Sequence, residues 1–130
     1  MPPRAITAST GAGYLTDIAA GKHRVIVDEP VADGGGNKGP TPIDLLLASL
    51  ASCTTITVRM YADRKGYALR RVEAVATRPD VPPVPIPQIS MKLTLEGDLD
   101  DEQRRRLIEI AHRCPVHRTL SAGCKVEIVH

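Results

Sequence analysis

The sequence predicts an α+β fold, with helices and strands partly segregated along the chain, and three observations carry that expectation. Short alternating runs broken by glycine precede residue 30; an apolar stretch after Thr41 repeats at helical spacing; and two further alternating runs lead into a capped, amphipathic segment. At 130 residues the chain falls in the range of ~100–200 residues typical of one domain, so a single domain over residues 1–130 is expected.

Arg4–Ser9, Tyr14–Ala19 and His23–Asp28 read as strands of a meander, turned at Gly11-Ala12-Gly13 and at Gly21. Glu29 to Pro40 contains Pro30, Gly34-Gly35-Gly36, Gly39 and Pro40, a composition that sustains neither helix nor ladder and predicts a mobile loop. Lys38 follows these glycines, but the spacing is not the G-x-x-x-x-G-K-[ST] that wraps phosphates.

A long helix is expected next. Thr41 is its N-cap, Pro42 suits the first helical position, and Asp44 completes a capping-box spacing. Leu46, Leu50, Cys53, Thr57 and Met60 recur at steps of four and three, which lays them along one stripe of a helix ending near Lys65 with Gly66 as terminator. Against this stands the β-branched run Thr54-Thr55-Ile56-Thr57-Val58, which by propensity favours a strand or an early helix end. The weakly charged stretch Leu45–Val58, bracketed by Asp44 and Arg59, falls short of the ~20 residues that cross a bilayer. It predicts a core element and no membrane partner.

Leu69–Arg78 and Gln88–Glu96 alternate as a strand pair, joined by the proline-rich Asp80–Pro87, which favours extended polyproline geometry. Asp100 and Gln103 are spaced to cap a second helix reciprocally. Leu99, Leu107, Ile110 and Ala111 face the core, and Arg104, Arg105 and Arg106 fan outward as a solvated face. That helix should break at Cys114-Pro115, because proline disfavours helical geometry in the residue before it and can open a new helix itself. Cys114 becomes a cap, followed by a short helix through Leu120 and a last strand, Lys125–Val129.

Composition narrows the function. With no Trp or Phe and three Tyr, the core is built of aliphatic side chains and base-stacking surfaces are scarce. A net charge of +2 with interspersed signs gives no basic stripe, so nucleic acid is not an expected partner. Met1-Pro2-Pro3-Arg4 is followed by no apolar run, which does not read as a secretory signal and predicts a cytoplasmic location. Three cysteines in a reducing compartment point to thiol chemistry rather than a stapling framework.

Thiol chemistry runs through the thiolate, so a working cysteine needs something that stabilises negative charge and access to substrate. Cys114 satisfies this locally, at a helix N-terminus with His112, Arg113, His117 and Arg118 close in sequence; an inert cap is the other reading. Cys53, amid Leu50, Ala51 and Ile56, reads locally as a buried apolar residue with a raised pKa. Cys124, beside Lys125, reads as structural. His112, Cys114, His117 and Cys124 are zinc ligand types in one stretch, but their spacing matches no paired-ligand pattern, so no metal or other cofactor is expected.

Two segments carry a resemblance to a known family. Gly39-Pro40-Thr41-Pro42-Ile43-Asp44-Leu45-Leu46-Leu47-Ala48-Ser49-Leu50-Ala51-Ser52-Cys53 resembles the run from helix start to reactive cysteine in the osmotically inducible protein C and organic hydroperoxide resistance (OsmC/Ohr) family. Cys114-Pro115-Val116-His117-Arg118-Thr119-Leu120 resembles its Cys-Pro-Val segment. The resemblance implies antiparallel sheets flanking long central helices in an intertwined homodimer. It also implies a thiol-dependent peroxidase in oxidative-stress defence, with Cys53 attacking a hydroperoxide to become a sulfenic acid and Cys114 resolving it as a disulfide. A dithiol reductant would regenerate the pair. This reverses the local reading, in which Cys114 is the more activated thiol. A non-catalytic binder of small apolar ligands is the alternative.

Two positions depart from the hydroperoxidase branch. Ile43 stands where that branch has a glutamate, with Asp44 one residue later, and Gly11-Ala12-Gly13 offers no thiolate-stabilising arginine, leaving Arg24 or Arg59 as substitutes. The pattern is closer to the broader OsmC-like relatives than to the dedicated organic hydroperoxide branch.

Overall fold

Alternation before residue 30 produces three antiparallel strands, β1 (Thr7–Thr10), β2 (Thr16–Ala20) and β3 (His23–Val27), in the order β1-β2-β3. The computed structural model describes residues 4–79 and 85–130, and the chain divides into two compact units, Met1–Leu46 and Leu47–His130. Ala20 pairs with His23 across a two-residue turn whose first member, Gly21, has φ of 60°. Primed hairpin turns need that left-handed backbone, which glycine adopts without a Cβ penalty.

The glycine-rich loop after β3 is tied down rather than mobile. Buried Asp28 accepts the backbone N–H of Glu29 (2.8 Å), Gly36 (3.2 Å) and Lys38 (3.1 Å), and its own N–H donates to the Pro40 carbonyl. One 3-10 turn, Val31–Asp33, fits inside it. A Cβ at Gly35 would lie 2.0 Å from the Glu29 carbonyl oxygen, so the glycine is needed for close approach as much as for flexibility. The Asp28 carboxyl is held below the usual carboxylate range chiefly by the Glu29 amide, with those of Lys38 and Gly36 acting the same way against the effect of burial.

Helix α1 spans Pro42–Lys65, and its start follows the sequence. The Thr41 hydroxyl accepts the Asp44 N–H at 3.1 Å, while the Asp44 carboxylate accepts the Thr41 N–H at 3.0 Å. The β-branched run stays helical, because its members supply both core and internal hydrogen bonds. The buried stripe is Leu50, Thr54, Val58 and Ala62, at steps of four. It is not the expected Leu46-Leu50-Cys53-Thr57-Met60 line: Met60 is exposed and Cys53 only half-buried. The 24-residue helix contains an 18-residue window of mean hydropathy 1.4, so by length and composition α1 meets the requirement for a membrane span that the shorter Leu45–Val58 stretch fails. Its Arg59 nevertheless donates to the carbonyls of Leu69 (2.7 Å) and Arg70 (3.1 Å), and its buried stripe packs within the protein.

Strands β4 (Leu69–Thr77) and β5 (Ser90–Gly97) form an antiparallel pair, with a register irregularity between Leu69 and Arg71. The proline-rich connection lies partly, at 80–84, outside the described residues. Helix α2 (Asp101–Ala111) starts with the expected capping box: the Asp100 carboxylate accepts the Gln103 N–H at 2.7 Å and the Gln103 side chain accepts the Asp100 N–H. Val58, Ala62, Leu69, Leu107 and Ala111 make the core of this second unit, with Leu93, Leu95 and Leu99 against it.

Two expectations are corrected here. The arginine run is not simply a solvated face: Arg104 donates to the carbonyls of Leu95 (2.9 Å) and Gly97 (3.1 Å), finishing the end of β5, and Arg106 donates to the Tyr61 hydroxyl at 2.9 Å. The final strand is not formed. After α3 (Pro115–Ala122) the chain continues to His130 without secondary structure, and Val126 and Ile128 are 82% and 89% exposed. Lys125–Val129 alternates as a strand should, but a strand also requires a neighbour to pair with. Among the described residues the architecture is mixed α+β, with antiparallel sheets and three α-helices.

Candidate dithiol site

Proline at the first position of α3 leaves Cys114 as its N-cap. The Cys114 Sγ accepts the N–H of His117 at 3.4 Å, and its carbonyl accepts the N–H of Arg118. The cap is the inner end of the site, 0% exposed. Cys53 arrives from the middle of α1, half-buried, with its carbonyl accepting the Thr57 hydroxyl at 2.7 Å. The two thiols are near enough to influence each other's ionisation. Sequence-distant Cys53 and Cys114 are thus brought together, and all three cysteines are free. Cys124 is exposed, bordering a shallow surface cavity with Arg118 and Thr119.

The two sulfurs differ in acidity. Burial pushes the Cys53 thiol up, and the contact with Cys114 adds to the rise. Burial also acts upward on Cys114 but is outweighed by hydrogen bonds from the Cys53 thiol, the His117 amide, the Thr54 hydroxyl and the Val116 amide, so its thiol lies below the ordinary range. The geometry favours negative charge on Cys114, at the positive end of a helix.

Two of the activating residues considered from sequence have other partners. Asp44 is committed to the start of α1, and Arg59 to the β4 carbonyls and to Asp63 at 3.2 Å. Arg24 is exposed on β3. His117 takes part through its backbone amide, and its ring stacks edge to face on His112 with centroids 5.4 Å apart. Among the described residues no cluster of three His, Cys, Asp or Glu is arranged to hold a metal ion. Thr54 is the residue that sequence reasoning missed. It is fully buried, donates to the Leu50 carbonyl at 2.9 Å and reaches Cys114. The signal was a polar residue next to Cys53 on the stripe that starts at Leu50.

A cavity of about 270 Å³ adjoins this site, lined by Leu50, Thr54, Met91, Leu93, Ile108 and His117 among others. His117, which lines the cavity and donates its backbone N–H to Cys114, joins cavity and sulfur, with Thr54 lining the same cavity and influencing the Cys114 thiol.

Fold and site define an α+β protein that holds a spatially paired dithiol beside an apolar cavity. The chain belongs to the OsmC-like protein family, whose model matches residues 35–129. Solved structures of similar fold include a Psychrobacter arcticus protein named for osmotic stress induction and detoxification response. It is 22% identical, with a TM-score of 0.78, over 92% of this chain and 89% of that one. An OsmC-like protein of Mycoplasma pneumoniae is 20% identical over 92% and 88%, with a TM-score of 0.77. The organic hydroperoxide resistance protein OhrB of Bacillus subtilis is 21% identical over 93% and 92%, with a TM-score of 0.62. This order is compatible with the OsmC-like branch. No curated protein matches the sequence.

Proposed function

We propose that the protein is a cysteine-based peroxidase that reduces organic or other hydroperoxides in oxidative-stress defence. The observation that carries this reading is the contact between Cys53 and Cys114. Cys53, the more accessible sulfur, attacks the O–O bond and becomes a sulfenic acid; Cys114 displaces hydroxide from it to close a disulfide. A dithiol reductant reopens the disulfide by exchange. The Leu50, Met91, Leu93 and Ile108 side chains of the adjoining cavity suit the alkyl part of an organic hydroperoxide. The organic hydroperoxide resistance protein among the similar structures is in keeping with this chemistry.

The working form is read as a homodimer. Only 17% of the apolar window of α1 is buried within the chain, Ile56 and Met60 are exposed on that helix, and the tail presents Val126, Ile128 and Val129. A second copy of the chain is the partner that would cover them.

A non-catalytic binder of small apolar ligands is the competing reading, favoured by the uncharged amides, hydroxyls and thiol that act on the two sulfurs. Peroxide consumption with a dithiol donor decides between them. Cys53→Ser is expected to abolish turnover, and a stoichiometric dose of organic peroxide to yield a Cys53–Cys114 linkage by mass spectrometry. Turnover that survives Cys53→Ser rejects the peroxidase assignment.

A further inference from the structure

The cysteine placed to attack peroxide is not the one placed to ionise. Cys53 is half-buried and sits in mid-helix, with the Cys114 sulfur as its thiol partner. Cys114 is sealed from solvent and caps α3, where it accepts the His117 N–H at 3.4 Å. A sealed sulfur at a helix N-terminus is well placed to hold negative charge and poorly placed to meet substrate. Arg59, on the same helix as the accessible sulfur, is occupied by the Leu69 and Arg70 carbonyls.

We propose that Cys114 is the resting thiolate of the reduced protein and serves as the general base that activates Cys53, before acting as resolving nucleophile. This rests on the peroxidase reading of the site. The steps balance. The Cys53 S–H proton passes to the Cys114 thiolate, and the Cys53 thiolate so formed attacks the terminal oxygen of ROOH. The O–O bond breaks, Cys53 sulfur gives up two electrons to become S–OH, and the departing alkoxide takes the proton held on Cys114, leaving as ROH. Cys114 is again a thiolate, now facing a sulfenic acid. Its attack forms the S–S bond and releases hydroxide, and a dithiol reductant returns both sulfurs to the starting state. One proton shuttles between the two sulfurs, and Cys114 is ionised at the moment its nucleophilicity is needed.

The environment suits such a relay. The titratable groups around Cys114 are Cys53 from α1, His112 at the end of α2 and His117 in α3, with Arg113 and Arg118 its charged neighbours along the chain. The segment at β5 contributes Ile89, Met91 and Leu93 to the adjoining cavity, all apolar. The low polarity on that side strengthens the electrostatic interaction between the two sulfurs relative to water.

Ultraviolet thiolate absorbance and single-turnover trapping of sulfenic acid test the proposal across pH. Cys53→Ser is expected to keep a thiol that ionises below the ordinary range, whereas Cys114→Ser leaves Cys53 ionising above it. At neutral pH, sulfenic acid formation on Cys53 should fall at least ~10-fold in Cys114→Ser, within what a lost general base costs, and recover when the pH is raised past the ionisation of Cys53 itself. Cys114→Asp keeps an N-cap acceptor and a base but no sulfur. It should restore the neutral-pH rate and leave Cys53 stranded as sulfenic acid, which also guards against misfolding of the serine variant. Equal neutral-pH rates in wild type and Cys114→Ser overturn the proposal, as does a Cys53 that ionises first, and both leave the peroxidase reading intact. Absence of sulfenic acid in the wild type at every pH overturns that reading, and the relay with it.

Discussion

Thr54 spends its hydrogen on a carbonyl of its own helix and still reaches the Cys114 sulfur, so one hydroxyl links α1 to the cap of α3. Replacing it with valine keeps the shape and removes the hydroxyl's bond to the Leu50 carbonyl together with its influence on Cys114. Thr54→Val should change stability by about 1 kcal/mol or less, a typical net value for one hydrogen bond, while shifting the Cys114 ionisation upward. Urea unfolding and thiolate absorbance read the two effects separately. Asp28 gives the residue-scale pH dependence. Its folded-state pKa is depressed, so its contribution to stability is fully present above the unfolded carboxylate value of about 3.9 and is lost as pH falls through the folded value. Unfolding midpoints measured from neutral pH down to the acid range should therefore drop less steeply in Asp28→Asn than in the wild type. Residue chemistry was unevenly legible. Cys114 declared itself through Pro115, a local cause with a local effect. The contact of Cys53 with Cys114 is tertiary, and no spacing in the chain encodes it.

Helix α1 shows what an element can hide from a pattern. Its start was legible because Thr41, Pro42 and Asp44 act on neighbouring backbone groups, and its end because Gly66 takes φ of 69°. Its buried face was misjudged, since steps of four and three from Leu46 and steps of four from Leu50 diverge after one turn, and only packing on Leu69 and Leu107 chooses between them. The β-branched run survives as helix for the same reason, tertiary burial outweighing a propensity deficit of tenths of a kcal/mol per residue, on the order of 0.5. At α2 the accounting is more local. Asp100→Ala removes one side of the capping box and should cost about 1 kcal/mol, whereas Leu107→Ala, at a fully buried position, should cost about 2–5 kcal/mol. Denaturant melts of the two variants check that order.

Across the whole molecule, the strand expected at Lys125–Val129 is where the fold departs furthest from the sequence pattern. Its alternation was read correctly as a pattern, and the missing requirement is a neighbour, which sequence alone does not supply. If the tail and the open face of α1 are covered by a second copy, Val126→Glu combined with Ile128→Glu should shift sedimentation from dimer toward monomer; an unchanged sedimentation coefficient removes the tail from the interface. The α+β class was legible because the alternating and helical periods occupy separate stretches of the chain. The pairing of β1, β2 and β3 into a three-stranded sheet rested on turns, and the turns at Gly13 and Gly21 carry backbone that glycine favours.

The cap of α3 is made of sulfur, and that gives the molecule a spectroscopic witness to its own chemistry. The N–H of His117 points at the Cys114 sulfur, the atom whose charge changes on disulfide formation if the proposed relay holds. Its proton resonance should move upfield, and its exchange with solvent deuterium should quicken, as Cys114 passes from thiolate to neutral disulfide sulfur. A single backbone amide, observed without any added probe, would then report the fraction of protein oxidised.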